Sequence, residues 1–394
     1  MKKTRLFLLG CTGSVGSSVL SVCRAFPDQF QISVLAARSS VSAMAKLAVE
    51  FSVPTVILTD PRAAEKLRNE SHGSLTVLSG DKALEEASLR NDVDHLVVAS
   101  SGTAAIPALM SALRAGKDVS LANKESIVVA GPWVLPLVQR PDQLRPLDSE
   151  HNALWQCLQG RDRSDVAALW LTASGGPFRN FSSEELEGVT PAMAAAHPVW
   201  PMGAKISVDS ATLMNKGIEI MEAMALFSFP SEAVRAIISP EAFIHGIVQF
   251  RDGTFLLAGS AADMRLPCAS ALFHPERCPV ELLPAPELSH LSFNFEEPDE
   301  SRFPCLSLAR EVARRGGAYP ALLVGADEIA VDRFLSKKNS FPDIPRIIAG
   351  VLEEYSGGHP ASLDDALSIM EEGRRLALQL GLRLEARSAT RRSI

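Results

Sequence analysis

The 394 residues exceed what a single hydrophobic core sustains, so two or three domains are expected. Hydrophobic residues make up 46% and charged residues 22%, the balance of an ordinary soluble chain and not of a disordered or fibrous one. A formal net charge of −7 with no long basic run argues against nucleic acid as a partner, and no apolar stretch approaches membrane-spanning length.

The six cysteines (Cys11, Cys23, Cys157, Cys268, Cys278, Cys305) are scattered and form no CxxC pair, which suits a reducing cytoplasm and offers no zinc site. Lys2, Lys3 and Arg5 before Leu6–Leu9 imitate a signal peptide, but the apolar run is short and meets a glycine motif at once. Residues 5–9 are therefore expected to be a buried strand. Gly10-Cys11-Thr12-Gly13-Ser14-Val15-Gly16 follows, then a helix over 17–26. A Gly-rich strand-to-helix turn can cradle a dinucleotide pyrophosphate, although the motif alone reads equally as a tight turn. The next strand, 31–37, ends in Arg38-Ser39-Ser40 where an acid would bind a ribose hydroxyl. A cation with hydroxyls suits a 2′-phosphate, so NADP is preferred to NAD; the alternative is a solvated loop arginine.

Strand-like pieces at 55–59, 75–78, 95–100 and 118–122 alternate with helix-like pieces at 62–69, 81–88 and 101–115. This pattern predicts a parallel sheet for roughly the first 145 residues. The strand at 118–122 delivers Asn123-Lys124-Glu125-Ser126 at its carboxyl end, where doubly wound sheets bind ligands.

A second domain opens with Leu144 to His151. Asp148 and Glu150, two apart on an extended segment, would point the same way and offer hard oxygen ligands to Mg²⁺ or Mn²⁺. They read equally as helix-start acids ahead of a helix at 152–158. A strand at 166–173 leads into Ser174-Gly175-Gly176-Pro177-Phe178, where the double glycine permits close backbone approach or a hinge. His197-Pro198-Val199-Trp200-Pro201-Met202-Gly203 reads as a lid that excludes water.

Ser207 to Glu219 is expected to begin strand-like and continue as a helix to about Phe227, capped by Asp209 or Ser210. Asn215, Lys216 and Glu219 share one face near that helix start, a favourable place for phosphate. Leu213, Met214, Ile218, Ile220 and Met221 crowd the other faces, so this lysine and glutamate are expected to be buried; the alternative is a surface helix with one salt bridge. Strands at 234–238, 244–250 and 254–257 suggest an open sheet face, a candidate dimer surface. The proline-rich 267–298 reads as a connector. Helices at 306–315, 321–335, 344–355 and 363–382 form a third domain, and 386–394 is expected to be disordered.

Taken in order, Gly10–Gly16, Leu121–Ser126, Asp148–His151, Ala173–Phe178, His197-Pro198 and Ile206–Glu219 closely resemble the 1-deoxy-D-xylulose 5-phosphate reductoisomerase family over nearly the whole chain. The glycine motif is unspecific; Asp148-Ser149-Glu150-His151 together with the run ending at Glu219 is specific. The resemblance implies an α/β fold: a Rossmann-like NADPH-binding domain (1–147), a catalytic α+β domain (148–266) with a lid loop (174–204), a connector (267–300) and a helical domain (301–394). It implies NADPH with Mg²⁺, Mn²⁺ or Co²⁺, a sugar phosphate substrate, a homodimer and a cytoplasmic enzyme.

Residue by residue, the resemblance assigns Thr12, Gly13, Ser14, Val15, Ala37, Arg38, Ser39, Asn123, Glu125 and Gly203 to NADPH. Asp148, Glu150 and Glu219 would bind the metal. Lys124, Ser149, Glu150, Ser174, His197, Ser210, Asn215, Lys216 and Glu219 would meet the substrate, with Lys124, His197 and the three acids catalytic. Two departures stand out: members usually carry Gly-Ser-Thr-Gly where this chain has Gly10-Cys11-Thr12-Gly13, and Gly-Lys/Arg-Asn where it has Ala37-Arg38-Ser39. Two rivals remain from the residues alone. One is a plain NADP-linked sugar-phosphate dehydrogenase, the other a nucleotide-sensing binding protein; neither needs three metal carboxylates.

Overall fold

The computed structural model describes residues 3–196 and 203–392, which divide into two compact units. The first comprises 1–126, 132–155 and 263–285, and the second 127–131, 156–262 and 286–394.

In chain order the first unit is built from β1 (Thr4–Leu9), α1 (Ser14–Ala25), β2 (Phe30–Ala37), α2 (Val41–Glu50), β3 (Thr55–Leu58), α3 (Pro61–Glu70), β4 (Thr76–Ser79), α4 (Asp81–Ser88), β5 (His95–Val98), α5 (Ile106–Arg114), β6 (Asp118–Leu121), the start of α6 (Lys124–Val134), β7 (Leu144–Pro146) and the start of α7 (Ser149–Leu158). Helices on both faces demand strands that are apolar without alternation, and Leu6, Phe7, Leu8, Val34 and Leu35 are each fully buried. All seven strands pair in parallel, in the order β4-β3-β2-β1-β5-β6-β7. The order reverses between β1 and β5, which opens a crevice beyond their carboxyl ends.

The expected connector over 267–298 is corrected at its start. Residues Arg265–Phe273 form a helix, α12, whose Cys268, Ala269, Ala271 and Leu272 belong to the core beneath α1. The Phe273 ring meets Phe26 and Phe30 edge-on at 4.9 and 5.0 Å. Proline marks this helix near its start, at Pro267, where a missing amide costs nothing.

The second unit holds β8 (Val166–Ala173), α8 (Ser183–Glu187), α9 (Pro191–Ala195), α10 (Ala204–Ala211), α11 (Met214–Phe227), β9 (Val234–Ile238), β10 (Ile244–Phe250), β11 (Phe255–Gly259) and the helices α13 (Cys305–Arg315), α14 (Tyr319–Leu335), α15 (Asp343–Glu354) and α16 (Leu363–Arg392). Its sheet runs β11-β10-β8-β9, with only the β8/β9 pair parallel. β11 lies at an edge and exposes Phe255 and Leu257. Residues 386–392, expected to be disordered, continue α16.

Candidate active site

The first unit carries the glycine-rich turn between β1 and α1. Gly10 leaves β1 at φ +88°, and a Cβ there would lie 2.5 Å from the Ala99 carbonyl carbon. A Cβ on Gly16 would lie 2.2 Å from the Gly10 carbonyl oxygen. Only glycine lets the turn fold this tightly against the opening of α1. Gly13 is the N-cap, no side chain caps the first turn and no acid lies in it. Thr12, Gly13 and Ser14 are exposed beside these amides, an arrangement that fits an anionic pyrophosphate. Cys11 is buried, and burial pushes its thiol up to about 12, so it packs and does not react.

At the end of β2, Ala37 is buried while Arg38 and Ser39 are exposed. Asn123, at the end of β6, is buried and its side chain is fully engaged. Its Nδ2 donates to the carbonyls of Ser100 and Gly102 at 2.7 and 2.5 Å, and its Oδ1 accepts from Ser126 N at 2.8 Å. This ties the β5 crossover to the first turn of α6 and fixes where Lys124 and Glu125 begin.

Lys124 Nζ lies 2.7 Å from Asp148 Oδ2, and His151 Nδ1 lies 3.5 Å from the same oxygen. Burial alone would push the Asp148 carboxyl up, but the Lys124 ammonium and His151 outweigh it and hold the group well below the ordinary carboxylate range. A carboxylate oxygen of Asp148 and one of Glu150 lie within 4.8 Å of each other. Ser149 Oγ donates to Glu150 Oε2 at 2.5 Å. The extended segment expected here is corrected: α7 begins at Ser149, so Glu150 stands in its first turn with Asp148 just ahead. The two acids converge because a helix start turns them inward, not because a strand aligns them. His151 carries no role in the sequence reading; its i, i+3 spacing from Asp148 on a helix was the available signal.

The second unit carries candidate residues of its own. The strand-like start expected at 207 is corrected: Ala204–Ala211 is helix α10, with Gly203 as its N-cap. Leu213 then sits in the left-handed region at φ +61°, and α11 starts at Met214. Neither Asp209 nor Ser210 caps α11, since Leu213 is its N-cap. A bulky residue in that conformation costs about 1–2 kcal/mol and makes a sharp joint between two helices that periodicity cannot reveal. Lys205 Nζ braces α10, lying 2.6 Å from Asp209 Oδ2 and 2.6 Å from Asp327 Oδ2 on α14.

On α11, Asn215 Nδ2 donates to Glu219 Oε1 at 2.5 Å, and Lys216 Nζ pairs with Glu219 Oε2. Lys216 and Glu219 are 3% and 1% exposed, so the surface-helix alternative fails. Glu222, one turn further along, is fully buried as well. Gly176, at φ +70°, would place a Cβ 2.9 Å from the Ser210 carbonyl, so the turn after β8 rests directly on the end of α10. Gly176, two residues after Ser174, thus stands against the Ser210 backbone. Gly176 N donates to Ser174 Oγ at 3.3 Å. His197 lies outside the described residues, as do 198–202 of the expected lid, while 174–196 and 203–204 are described.

Three family models match the chain: 1-deoxy-D-xylulose 5-phosphate reductoisomerase over 6–131, its C-terminal domain over 144–227, and the DXP reductoisomerase C-terminal domain over 260–376. The chain is similar to the 1-deoxy-D-xylulose 5-phosphate reductoisomerase of Desulfosudis oleivorans, 44% identical over 92% of this chain and 95% of that protein. It is also similar to the protein of that name from Thermodesulfovibrio yellowstonii, 40% identical over 96% and 98%. Among solved structures, the Zymomonas mobilis reductoisomerase in complex with NADPH superposes with TM-score 0.89 at 38% identity, covering 96% of this chain and 99% of that one. A DOX-P reductoisomerase in complex with NADPH, fosmidomycin and magnesium gives 0.91 at 34% identity, covering 97% and 99%.

Proposed function

This chain belongs to the 1-deoxy-D-xylulose 5-phosphate reductoisomerase family, and on that premise we propose a role for each residue of its site. The protein is an enzyme that rearranges 1-deoxy-D-xylulose 5-phosphate and reduces the product to 2-C-methyl-D-erythritol 4-phosphate, with NADPH and a divalent metal. The observation that carries the assignment is a pair of side-chain clusters, one in each unit. One is an acid held ionised beside a lysine at the end of a nucleotide-binding sheet; the other is a buried Asn–Lys–Glu face at a helix start.

Asp148, Glu150 and Glu219 would hold the metal through carboxylate oxygens, the hard donors that Mg²⁺ or Mn²⁺ selects. The Gly10–Gly16 turn fits the NADPH pyrophosphate, with Thr12, Gly13, Ser14 and Val15 along it and Glu125 and Gly203 as further contacts. Asn123, whose side chain braces the sheet end, would meet the cofactor through its backbone. Ala37, Arg38 and Ser39 would meet the adenosine ribose phosphate. When bound, the ion would supply Lewis-acid stabilisation of the developing oxyanion and NADPH the hydride. Ser174, Ser210, Asn215 and Lys216 anchor the substrate phosphate, whose binding energy orients the reacting carbons. Lys124, ion-paired with Asp148, would donate a hydrogen bond to a substrate oxygen. Ser149 and His197 complete the substrate contacts, His197 from the lid at 174–204.

The enzyme would be cytoplasmic and a homodimer through β11, whose exposed Phe255 and Leu257 edge would pair with a second copy. The chain would comprise a cofactor domain (1–147), a catalytic domain (148–266), a connector (267–300) and a helical domain (301–394). The test is NADPH oxidation with 1-deoxy-D-xylulose 5-phosphate, lost in EDTA and restored by Mn²⁺. Asp148→Asn should abolish turnover while NADPH binding persists. Near-normal turnover in that variant would remove Asp148 from the site.

A further inference from the structure

We propose that Arg62 and Lys66, on the first two turns of α3, bind the 2′-phosphate of NADPH and set the preference for it over NADH. The inference rests on the NADPH reading above. A cavity of about 560 Å³ lies beyond the end of β2. Ser39, Ser40, Ser42, Arg62 and Lys66 supply its polar wall, and no carboxylate lines it. In a doubly wound sheet with its phosphate loop after β1, the adenosine ribose falls at the end of β2, beside this cavity.

The backbone fixes α3 there. Thr59 N donates to the Ala37 carbonyl at 3.1 Å and Asp60 N to the Arg38 carbonyl at 2.9 Å. The Asp60 carboxylate is the natural rival for a nearby cation, but it is spent on the helix cap, accepting from Ala63 N at 2.8 Å. Arg62 and Lys66 are four residues apart and so share a helix face. Arg62 has no carboxylate partner among the described residues. Lys66 has an exposed Glu70 at 3.8 Å, an ion pair too weak and wet to hold it. Opposite them α2 begins at Val41, with no acid in its first turn and no side-chain bond from its N-cap Ser40. Two uncommitted cations, three hydroxyls and an uncapped helix start suit a phosphomonoester dianion, while a bare ribose diol would leave the cations unanswered. The Ala37-Arg38-Ser39 departure keeps the cation and replaces an amide with a hydroxyl, and the neighbouring helix adds two further cations.

The experiment is calorimetric binding of 2′,5′-ADP and of 5′-AMP to the whole protein, with no turnover involved. The unaltered protein should prefer 2′,5′-ADP. Arg62→Ala with Lys66→Ala should cut that preference by about tenfold or more, as loss of two charge-assisted contacts implies, with 5′-AMP affinity unchanged. The charge-conserving pair Arg62→Lys with Lys66→Arg should keep most of it. A preference within about twofold of the original in the alanine pair overturns the proposal, since one lost contact of this kind exceeds that. Equal weakening of both nucleotides also overturns it, because that marks a change in the fold of the sheet end. An unaltered protein with no preference for 2′,5′-ADP would instead sink the NADPH reading itself.

Discussion

Lys216 and Glu219 face each other across one turn of α11 with 3% and 1% of their surfaces exposed. Two charges so far from water are stable only as a pair, and each is costly alone. Lys216→Met should therefore destabilise the protein by about 3–5 kcal/mol, since it strands the Glu219 carboxylate. The double variant Lys216→Met with Glu219→Gln removes both charges and should recover much of that loss while remaining inactive. Urea denaturation with a turnover assay checks both arms. A double variant no more stable than the single one would show that burial of the charge is not what the single change exposes.

That pair also shows what could be read from the residues alone. The crowding of Leu213, Met214, Ile218 and Ile220 around a lysine and a glutamate predicted burial, and α11 has it. Strand-helix alternation over the first 145 residues predicted the parallel sheet, because a sheet covered on both faces writes uninterrupted apolar runs such as Leu6–Leu9. The joint at Leu213 was illegible, since its positive φ contradicts what a leucine prefers and only the packing around it enforces that conformation. The helix Arg265–Phe273 was hidden by neighbouring prolines, and its place under α1 is a contact some 250 residues away in sequence that no local pattern encodes. The brace from Lys205 to Asp327 is likewise visible only in its i, i+4 half, Lys205 with Asp209.

His95, on β5, is 1% exposed, and its Nε2 lies 2.8 Å from Ser120 Oγ. Burial, with Arg145 nearby, pushes its pKa down to about 3, so it stays neutral in the folded protein. The unfolded chain takes up a proton near the ordinary value of about 6.5. Between those two values the unfolded state binds more protons, so stability falls as the solution is acidified; above them the residue contributes no pH dependence. His95→Gln should remove a slope of about 1.4 kcal/mol per pH unit across that window. Denaturation midpoints at pH 7, 6, 5 and 4 would show it, and an unchanged slope would mean that His95 is not the residue titrating.

Gly217 lies in the interior of α11, where alanine would ordinarily favour the helix by about 1 kcal/mol. A Cβ there would lie 2.3 Å from the Ala309 Cβ on α13, inside any real contact. Overpacking of that kind costs about 1–3 kcal/mol, so Gly217→Ala should be destabilising on balance. Because the clash is with one methyl group, Gly217→Ala with Ala309→Gly should restore most of the loss. α11 also carries Asn215, Lys216 and Glu219, so the single variant should lose turnover through displacement of that face, and the exchange variant should regain it. Stability and turnover measured on all three proteins decide this. If the exchange rescues neither, the crossing of α11 and α13 is not set by these two positions.

The cysteines divide by burial. Cys11, Cys23, Cys157, Cys268 and Cys305 are buried, and Cys278 alone is partly exposed. Burial pushes the Cys11 and Cys23 thiols up to about 12, Cys157 to about 11, and Cys268 and Cys305 well above the ordinary range. A thiol must ionise and be reached before it reacts. The native protein should therefore titrate one fast thiol out of six with a disulfide reagent at pH 8, and all six after denaturation. Cys278→Ser should abolish the fast phase and leave turnover intact. Cys11 is the informative exception to watch, because it lies inside the glycine turn proposed to hold the NADPH pyrophosphate. Rapid modification of Cys11, slowed by NADPH, would mean that the turn opens in solution and that its fit to the cofactor is made on binding, not beforehand.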